Sequence, residues 1–227
     1  MTMEKKMTDE EIFCHIDHTL LKATAAWPEI EKLCTEAIRF KTASVCVPPS
    51  YIKPIHGAYG EGVNICTVIG FPLGYSVSAA KLREAEAALA DGAYELDMVI
   101  NLGDVKNGAF DRVGDEISAL KKTAGKKILK VIVETCYLTR EEKIRLCEIV
   151  TRSGADYIKT STGFGTAGAA LEDVLLFKEH IGPNVKIKAA GGVKTRDDLE
   201  KFLAAGCDRI GTSSAVALLT GGGAAGY

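Results

Sequence analysis

Ile128-Leu129-Lys130-Val131-Ile132-Val133 is an apolar run broken by a single lysine. A strand with one wet face would alternate apolar and polar residues; a run apolar at successive positions is covered on both faces, as in a parallel sheet flanked by helices. Working outward, further candidate strands are Cys14–Thr19, Ala43–Val47, Asn64–Ile69, Tyr94–Ile100, Tyr157–Thr160, Val185–Ala189 and Arg209–Gly211, and the central one extends over Ile128–Glu134. Amphipathic stretches lie between them, among them Pro28–Phe40, Ser78–Ala90, Phe110–Thr123, Thr139–Ser153, Glu172–His180 and Arg196–Ala204. Thr139 and Glu142 match a capping box, Pro28 suits a first helical turn, and Gly92, Gly154 and Gly206 follow helical stretches as C′ glycines do. Strand–helix alternation through 227 residues, with no Pro/Ser-rich linker, predicts a single-domain α/β fold over residues 1–227, a (β/α)8 TIM barrel. A doubly wound open sheet is the alternative. The Gly-rich tail from about 220 to 227 reads as a flexible segment, either a disordered end or an arm that reaches the site.

Composition narrows the function classes. An apolar fraction of 47%, a charged fraction of 26% and a net charge of −2 are those of a globular protein with no bulk attraction to nucleic acid or membrane. The first ten residues are too polar for a signal peptide, and no apolar stretch approaches the roughly 20 residues needed to span a bilayer. The 7 cysteines form no C-x-x-C pair and sit mostly among apolar neighbours, and the 4 histidines show no metal-ligand spacing. Reduced thiols, a cytoplasmic location and no metal site are the expectation.

The chemistry-bearing residues stand at strand ends. Lys159 and Lys188 each close an apolar run that breaks into a Gly-rich loop, where α/β folds place ligand chemistry. Alternation puts Glu95 with Asp97, Lys130 with Ile132 and Glu134, and Lys186 with Lys188 on shared strand faces. A lone charge at a strand end is as often simply solvated; charges of both signs on four apolar strands argue for a polar interior cluster. Two unit charges about 4 Å apart at an effective dielectric of 20 repel by roughly 4 kcal/mol, about three pKa units, enough to free an amine. A neutral lysine attacks carbonyls, so the pair points to Schiff-base chemistry. Lys159 is the better nucleophile, because Thr160, Ser161 and Thr162 supply hydroxyls beside a forming carbinolamine; Lys188 is then the charged perturber. Asp97, with Asp17, would shuttle protons through water. Gly191-Gly192 after the seventh strand and Gly211-Thr212-Ser213-Ser214 after the eighth match the phosphate cup of such barrels, with Ser213, Ser214 and the backbone at Gly163 facing the anion. Taken singly, these are ordinary turn glycines and a serine N-cap. There is no G-x-G-x-x-G after a first strand and no Walker sequence.

The segments Ile16-Asp17-His18-Thr19, Ser44-Val45-Cys46-Val47-Pro48-Pro49, Val68-Ile69-Gly70-Phe71-Pro72, Glu95-Leu96-Asp97-Met98, Lys130-Val131-Ile132-Val133-Glu134-Thr135, Lys159-Thr160-Ser161-Thr162-Gly163-Phe164-Gly165, Lys188-Ala189-Ala190-Gly191-Gly192-Val193 and Arg209-Ile210-Gly211-Thr212-Ser213-Ser214 run in order over almost the whole chain. In them the sequence resembles the deoxyribose-phosphate aldolase family of class I aldolases. The resemblance implies a (β/α)8 barrel that reversibly cleaves 2-deoxy-D-ribose 5-phosphate to D-glyceraldehyde 3-phosphate and acetaldehyde. By the same match Lys159 forms the imine, Lys188 tunes it, Asp97 assists proton transfer, Asp17 and Lys130 support the site, and Tyr227 assists proton exchange on the enamine. It implies no metal or organic cofactor, small phosphorylated sugars and aldehydes as partners, and a homodimer. Phe164 stands where some members carry a lysine, so phosphate neutralisation would lean on backbone amides. Other lysine-dependent barrels of transaldolase or dehydratase type, a metal-free sugar-phosphate isomerase and a sugar-phosphate sensor are the competing readings.

Overall fold

The computed structural model describes residues 7–221. Eight strands and ten helices follow one another: α1 (Asp9–Phe13), β1 (Ile16–Thr19), α2 (Trp27–Phe40), β2 (Ser44–Val47), α3 (Ile52–Tyr59), β3 (Ile65–Ile69), α4 (Ser78–Ala90), β4 (Glu95–Val99), α5 (Leu102–Lys106), α6 (Phe110–Ala124), β5 (Ile128–Ile132), α7 (Arg140–Arg152), β6 (Tyr157–Lys159), α8 (Leu171–His180), β7 (Lys186–Ala190), α9 (Arg196–Ala205), β8 (Arg209–Thr212) and α10 (Ala215–Thr220). Every strand pairs in parallel with its sequence neighbours, and β8 closes onto β1. The expected barrel is thus present, and the open-sheet alternative is excluded by the Asp17↔Gly211 pairing of β1 with β8.

The continuous apolar runs have the reason inferred for them. Leu129 and Val131 point outward into the layer beneath the helices, where they join Leu96, Met98, Ile158, Ile187 and Ala189 in one core cluster. The opposite face of the same strands turns into the barrel, and it carries the buried charged residues Glu95, Asp97, Lys130, Lys159 and Lys188. Helix ends follow local rules. Thr139 accepts from the Glu142 N–H at 3.3 Å while Glu142 accepts from the Thr139 N–H at 2.7 Å, the reciprocal cap read from the sequence. Gly206 ends α9 in the left-handed region.

Several boundaries differ from the sequence reading. Cys14 caps α1 instead of opening β1, because a Thr8–Glu11 capping box starts a short helix just before it. The central strand stops at Ile132, and Glu134 lies two residues beyond it with φ 55° and ψ 68°. Thr220 and Gly221, assigned to a flexible tail, close α10: the Thr220 hydroxyl donates to the Val216 carbonyl at 2.7 Å, and Gly221 is a left-handed C-cap. The short helices α1, α3 and α5 were not among the stretches read from the sequence, whereas α10 starts after Ser214 as the serine N-cap reading has it. Of these, α3 carries Pro54 in its first turn and Gly57 in its middle, which hides its pattern.

Candidate active site

Parallel register decides which charges meet. Asp97 pairs in register with Lys130, and Lys159 with Lys188, which in turn pairs with Arg209. All of these side chains point into the barrel, as do Asp17 on β1 and Glu95 on β4, so β1, β4, β5, β6, β7 and β8 contribute to one buried cluster. Asp97 is its hub. Its Oδ2 accepts from Lys159 Nζ and from Lys188 Nζ, each at 2.7 Å, and its Oδ1 accepts from Lys130 Nζ at 2.9 Å and from the Cys66 thiol at 3.1 Å. Asp17 pairs with Lys188 at 2.5 Å and Lys130 at 3.6 Å, binds Arg209, and accepts from the Ser44 hydroxyl at 2.8 Å. Glu95 binds Lys130 and accepts from Arg209 at 3.0 Å.

The pair of lysines is therefore not a bare pair. The sequence argument rested on like-charge repulsion, whereas the structure sets the Asp97 carboxylate directly between the amines, in contact with both and not through water. Burial pushes the Asp97 and Asp17 carboxyls upward, but for Asp97 the neighbouring Lys130, Lys159 and Lys188, and for Asp17 the neighbouring Lys188, Lys130 and Arg209, outweigh it and hold both below the ordinary value of 3.8. Burial likewise lowers Lys188 and Lys130, and the carboxylates of Asp17 and Asp97 reverse it, leaving both above the usual 10.5. Lys188 is thus a fixed cation.

Four cationic side chains (Arg209, Lys130, Lys188 and Lys159) face three carboxylates (Asp17, Glu95 and Asp97) in this cluster. Lys159 sits at its upper edge and is the member that lines the open cavity above; Lys188, fully buried, does not reach it. Room for Lys188 comes from Gly211, where a Cβ would lie 3.1 Å from the Lys188 Cε.

The cavity, of about 170 Å3, opens at the C-terminal ends of the strands. Its walls are Thr162 and Gly163 after β6, Gly191, Gly192, Val193 and Lys194 after β7, and Gly211 to Ser214 at the end of β8, so the glycines and serines named from the sequence do come together. Gly191 and Gly192 both have left-handed φ values of 74° and 76°, and a Cβ on Gly191 would press within 3.1 Å of the Gly168 backbone; the loops after β6 and β7 pack glycine against glycine. Thr160 departs from its expected place. Its hydroxyl is engaged with the Ala190 backbone, accepting from the N–H at 3.2 Å, and it does not line the cavity. Lys186 also parts from Lys188: it lies exposed at the start of β7 and pairs with Asp208 at 3.1 Å. Tyr227 lies outside the described residues. Lys194, which the sequence reading passed over, lines the cavity as a second cation; its position two residues after Gly192 was the available signal.

Two groups bring potential metal-ligand atoms within 4.8 Å of one another, Asp17 with Cys66 and Glu95, and Cys46 with Cys66 and Asp97. In the first, the Lys130 ammonium already contacts all three members, including Cys66 at 3.3 Å, and acts as their common cation. In the second, Asp97 is the carboxylate shared by three ammonium groups.

A family model described as "DeoC/LacD family aldolase" matches residues 12–221. The chain belongs to that family. It is 63% identical over 221 residues to the deoxyribose-phosphate aldolase of Clostridium botulinum strain Eklund 17B, covering 97% of this chain and 100% of that one, and 57% identical to that of Clostridioides difficile strain 630, covering 90% and 93%. Among solved structures, the tetrameric deoxyribose phosphate aldolase of Aeropyrum pernix superposes with a TM-score of 0.88 at 34% identity, over 94% of this chain and 91% of that one. The geometry above sets one amine of the charge cluster, that of Lys159, in the lining of the cavity.

The charge cluster sets the pH range of the fold. Carboxyls held below 3.8 stabilise fully above that value and lose the contribution as pH falls through their lower folded-state values; ammonium groups held above 10.5 stabilise fully below it and lose the contribution as pH rises past their higher ones. Scanning calorimetry should therefore give an unfolding midpoint that is level between about pH 5 and 9 and falls in acid, and Asp97→Asn should lower the plateau and flatten the acid limb. A midpoint that climbs as pH drops from about 5 to 3 would contradict the assignment.

Proposed function

We propose that the chain reversibly cleaves 2-deoxy-D-ribose 5-phosphate to D-glyceraldehyde 3-phosphate and acetaldehyde, with Lys159 as the imine-forming amine. The observation that carries the residue assignment is the position of Lys159: it alone among the clustered amines reaches the cavity, and its Nζ touches a carboxylate shared with a fixed cation. Loss of one proton from the cluster at Lys159 leaves three cations facing three carboxylates, so the free amine needed for attack does not strand a buried charge.

In this reading the Lys159 amine adds to C1 of the open-chain sugar and water leaves, giving a protonated imine. A base takes the C3 hydroxyl proton, the C2–C3 bond breaks toward the imine carbon, and the phosphorylated aldehyde departs. The enamine left on Lys159 is protonated at C2 and hydrolysed to acetaldehyde. Asp97, in contact with the Lys159 nitrogen, is placed to move protons to and from it. Lys188, paired with Asp17, shares the Asp97 Oδ2 acceptor with Lys159, while Lys130 fixes the second oxygen of Asp97. The phosphate end is assigned to the Gly191–Gly192 turn, Gly163, Ser213 and Ser214, with Lys194 as a cation at the wall.

Borohydride added during turnover of 2-deoxyribose 5-phosphate should leave a reduced two-carbon adduct on Lys159, located by peptide mass mapping. Lys159→Ala should lose on the order of 10⁴-fold or more in kcat/KM while keeping its unfolding midpoint. An adduct on Lys188 would exchange the two roles, and no adduct from a protein that binds the sugar phosphate would favour an isomerase or a sensor. For Tyr227 the proposal is proton exchange on the enamine: its deletion should slow exchange of acetaldehyde methyl protons with deuterated water, and unchanged exchange would remove the role. A cytoplasmic homodimer completes the proposal on the family resemblance; no helix among the described residues is long and apolar enough to cross a membrane. Sedimentation equilibrium at twice the chain mass of 24.2 kDa would support the dimer, and a single-chain mass would overturn it.

A further inference from the structure

Glu134 lies beside the charge cluster, within the field of Lys159, and the chain holds it in an uncommon way. It is one of two non-glycine residues with positive φ among the described residues, and it is only 3% exposed. A left-handed backbone costs a glutamate on the order of 1 kcal/mol or more, so the surroundings must fix it there. What the turn achieves is aim. With β5 ended at Ile132, the left-handed turn points the Glu134 carboxylate across to the loop after β6. There both its oxygens accept from the Thr162 N–H at 3.2 Å, and Oε2 accepts from the Thr162 hydroxyl as well. The same hydroxyl accepts from the Phe164 N–H at 3.0 Å. Gly165 completes the fit, since a Cβ there would lie 2.9 Å from the Cys136 sulfur and 3.1 Å from the Glu134 carboxylate carbon.

The clamped segment is a wall of the cavity. Thr162 and Gly163 line it opposite Gly191 and Gly192, and the Gly163 Cα would be 3.3 Å from a Cβ on Gly191. The flanking backbone is held by the sheet, through the Val133 N–H to the Lys159 carbonyl at 3.0 Å and the Thr135 N–H to the Thr160 carbonyl at 2.9 Å. Beyond Thr160 the ladder ends, and Glu134 is what replaces it. We propose that Glu134 is a positioning residue for the phosphate end of the substrate, clamping Thr162 so that the loop after β6 meets the Gly191–Gly192 turn at the width of an anion. The proposal rests on the aldolase reading for its substrate, but the cup it shapes can be tested without turnover.

Glu134→Gln keeps size and one acceptor but turns the other oxygen into an N–H2 donor. Because the Thr162 N–H lies 3.2 Å from both oxygens, that group faces a backbone donor in either orientation of the amide, and one side of the clamp is left with opposed donors. Calorimetric titration with inorganic phosphate should show about tenfold weaker binding than the unaltered protein, and the KM for 2-deoxyribose 5-phosphate should rise about tenfold with kcat held within about twofold. Unphosphorylated 2-deoxyribose should lose less than about twofold in kcat/KM, a split that a general structural fault would not produce. Thr162→Val removes the hydroxyl from the other side and, read by phosphate titration alone, serves if Glu134→Gln does not fold; in the double variant the two losses of phosphate affinity should not add. Unchanged phosphate affinity, equal losses on both sugars, additive losses, or an unaltered protein that binds no phosphate would each overturn the proposal. Phosphate binding that weakens as stated in a protein without aldolase turnover would sustain the clamp and sink the aldolase reading alone.

Discussion

A single carboxylate oxygen organises the interior of this barrel. Asp97 Oδ2 accepts from Lys159 and Lys188 at once, and the second oxygen holds Lys130. Taking even one of these charges from water into the protein costs several kcal/mol unless partners surround it. The cluster therefore exists only because six strands deliver its members to one place, and each member depends on the closure of the sheet. Asp17 of β1 is a counter-charge shared by Lys188 and by Arg209 of β8, so the pairing that closes the barrel also brings Asp17 and Arg209 together. Fold and site share one constraint: break the closure, and buried ions lose their partners.

The rest of the top face follows from the height at which the charges stop. Below Lys159 the interior is filled by paired side chains; above it the strands end, side chains give way to glycine backbone, and a cavity opens. Glycine at 191, 192 and 211 serves two different ends. The first two take left-handed turns, Gly191 packing against the loop after β6, and the third leaves volume for Lys188 beneath. The Lys159 amine thus lies at the floor of the cavity and the glycine and serine loops form its rim.

Much of this was legible in the sequence because it is local. An unbroken apolar strand such as Ile128–Val133 implies cover on both faces, a Thr139–Glu142 box marks a helix start, and period-two alternation places Glu95 with Asp97. What was not legible depends on register between strands far apart in the chain. Nothing in the spacing of Lys159 and Lys188 reveals that Asp97, on a strand two removed from β6, lies between them, and so the repulsion argument assumed the wrong neighbours. Strand ends misled in the same way. Lys186 shares a face with Lys188 by alternation, but it stands at the opposite end of the strand and reaches solvent and Asp208. Thr160 was read as a hydroxyl for the substrate, and its neighbour in the barrel wall uses it first. Glu134 read as a continuation of β5, since a left-handed turn at a glutamate has no sequence signature.

The interior charge is costly as architecture. Barrels are commonly filled with layers of branched apolar side chains, and replacing a buried ion network by packed hydrocarbon is often neutral or stabilising. Here an arginine, three lysines and three carboxylates occupy that volume, with Ser44 and Cys66 satisfying further carboxylate oxygens. Stability alone gives no reason for that choice. Chemistry does: an amine at the edge of such a cluster has a carboxylate in direct contact, as Lys159 has Asp97 at 2.7 Å. Four basic side chains meet three carboxylates there, and Lys159 is the one that stands where the cluster meets the cavity.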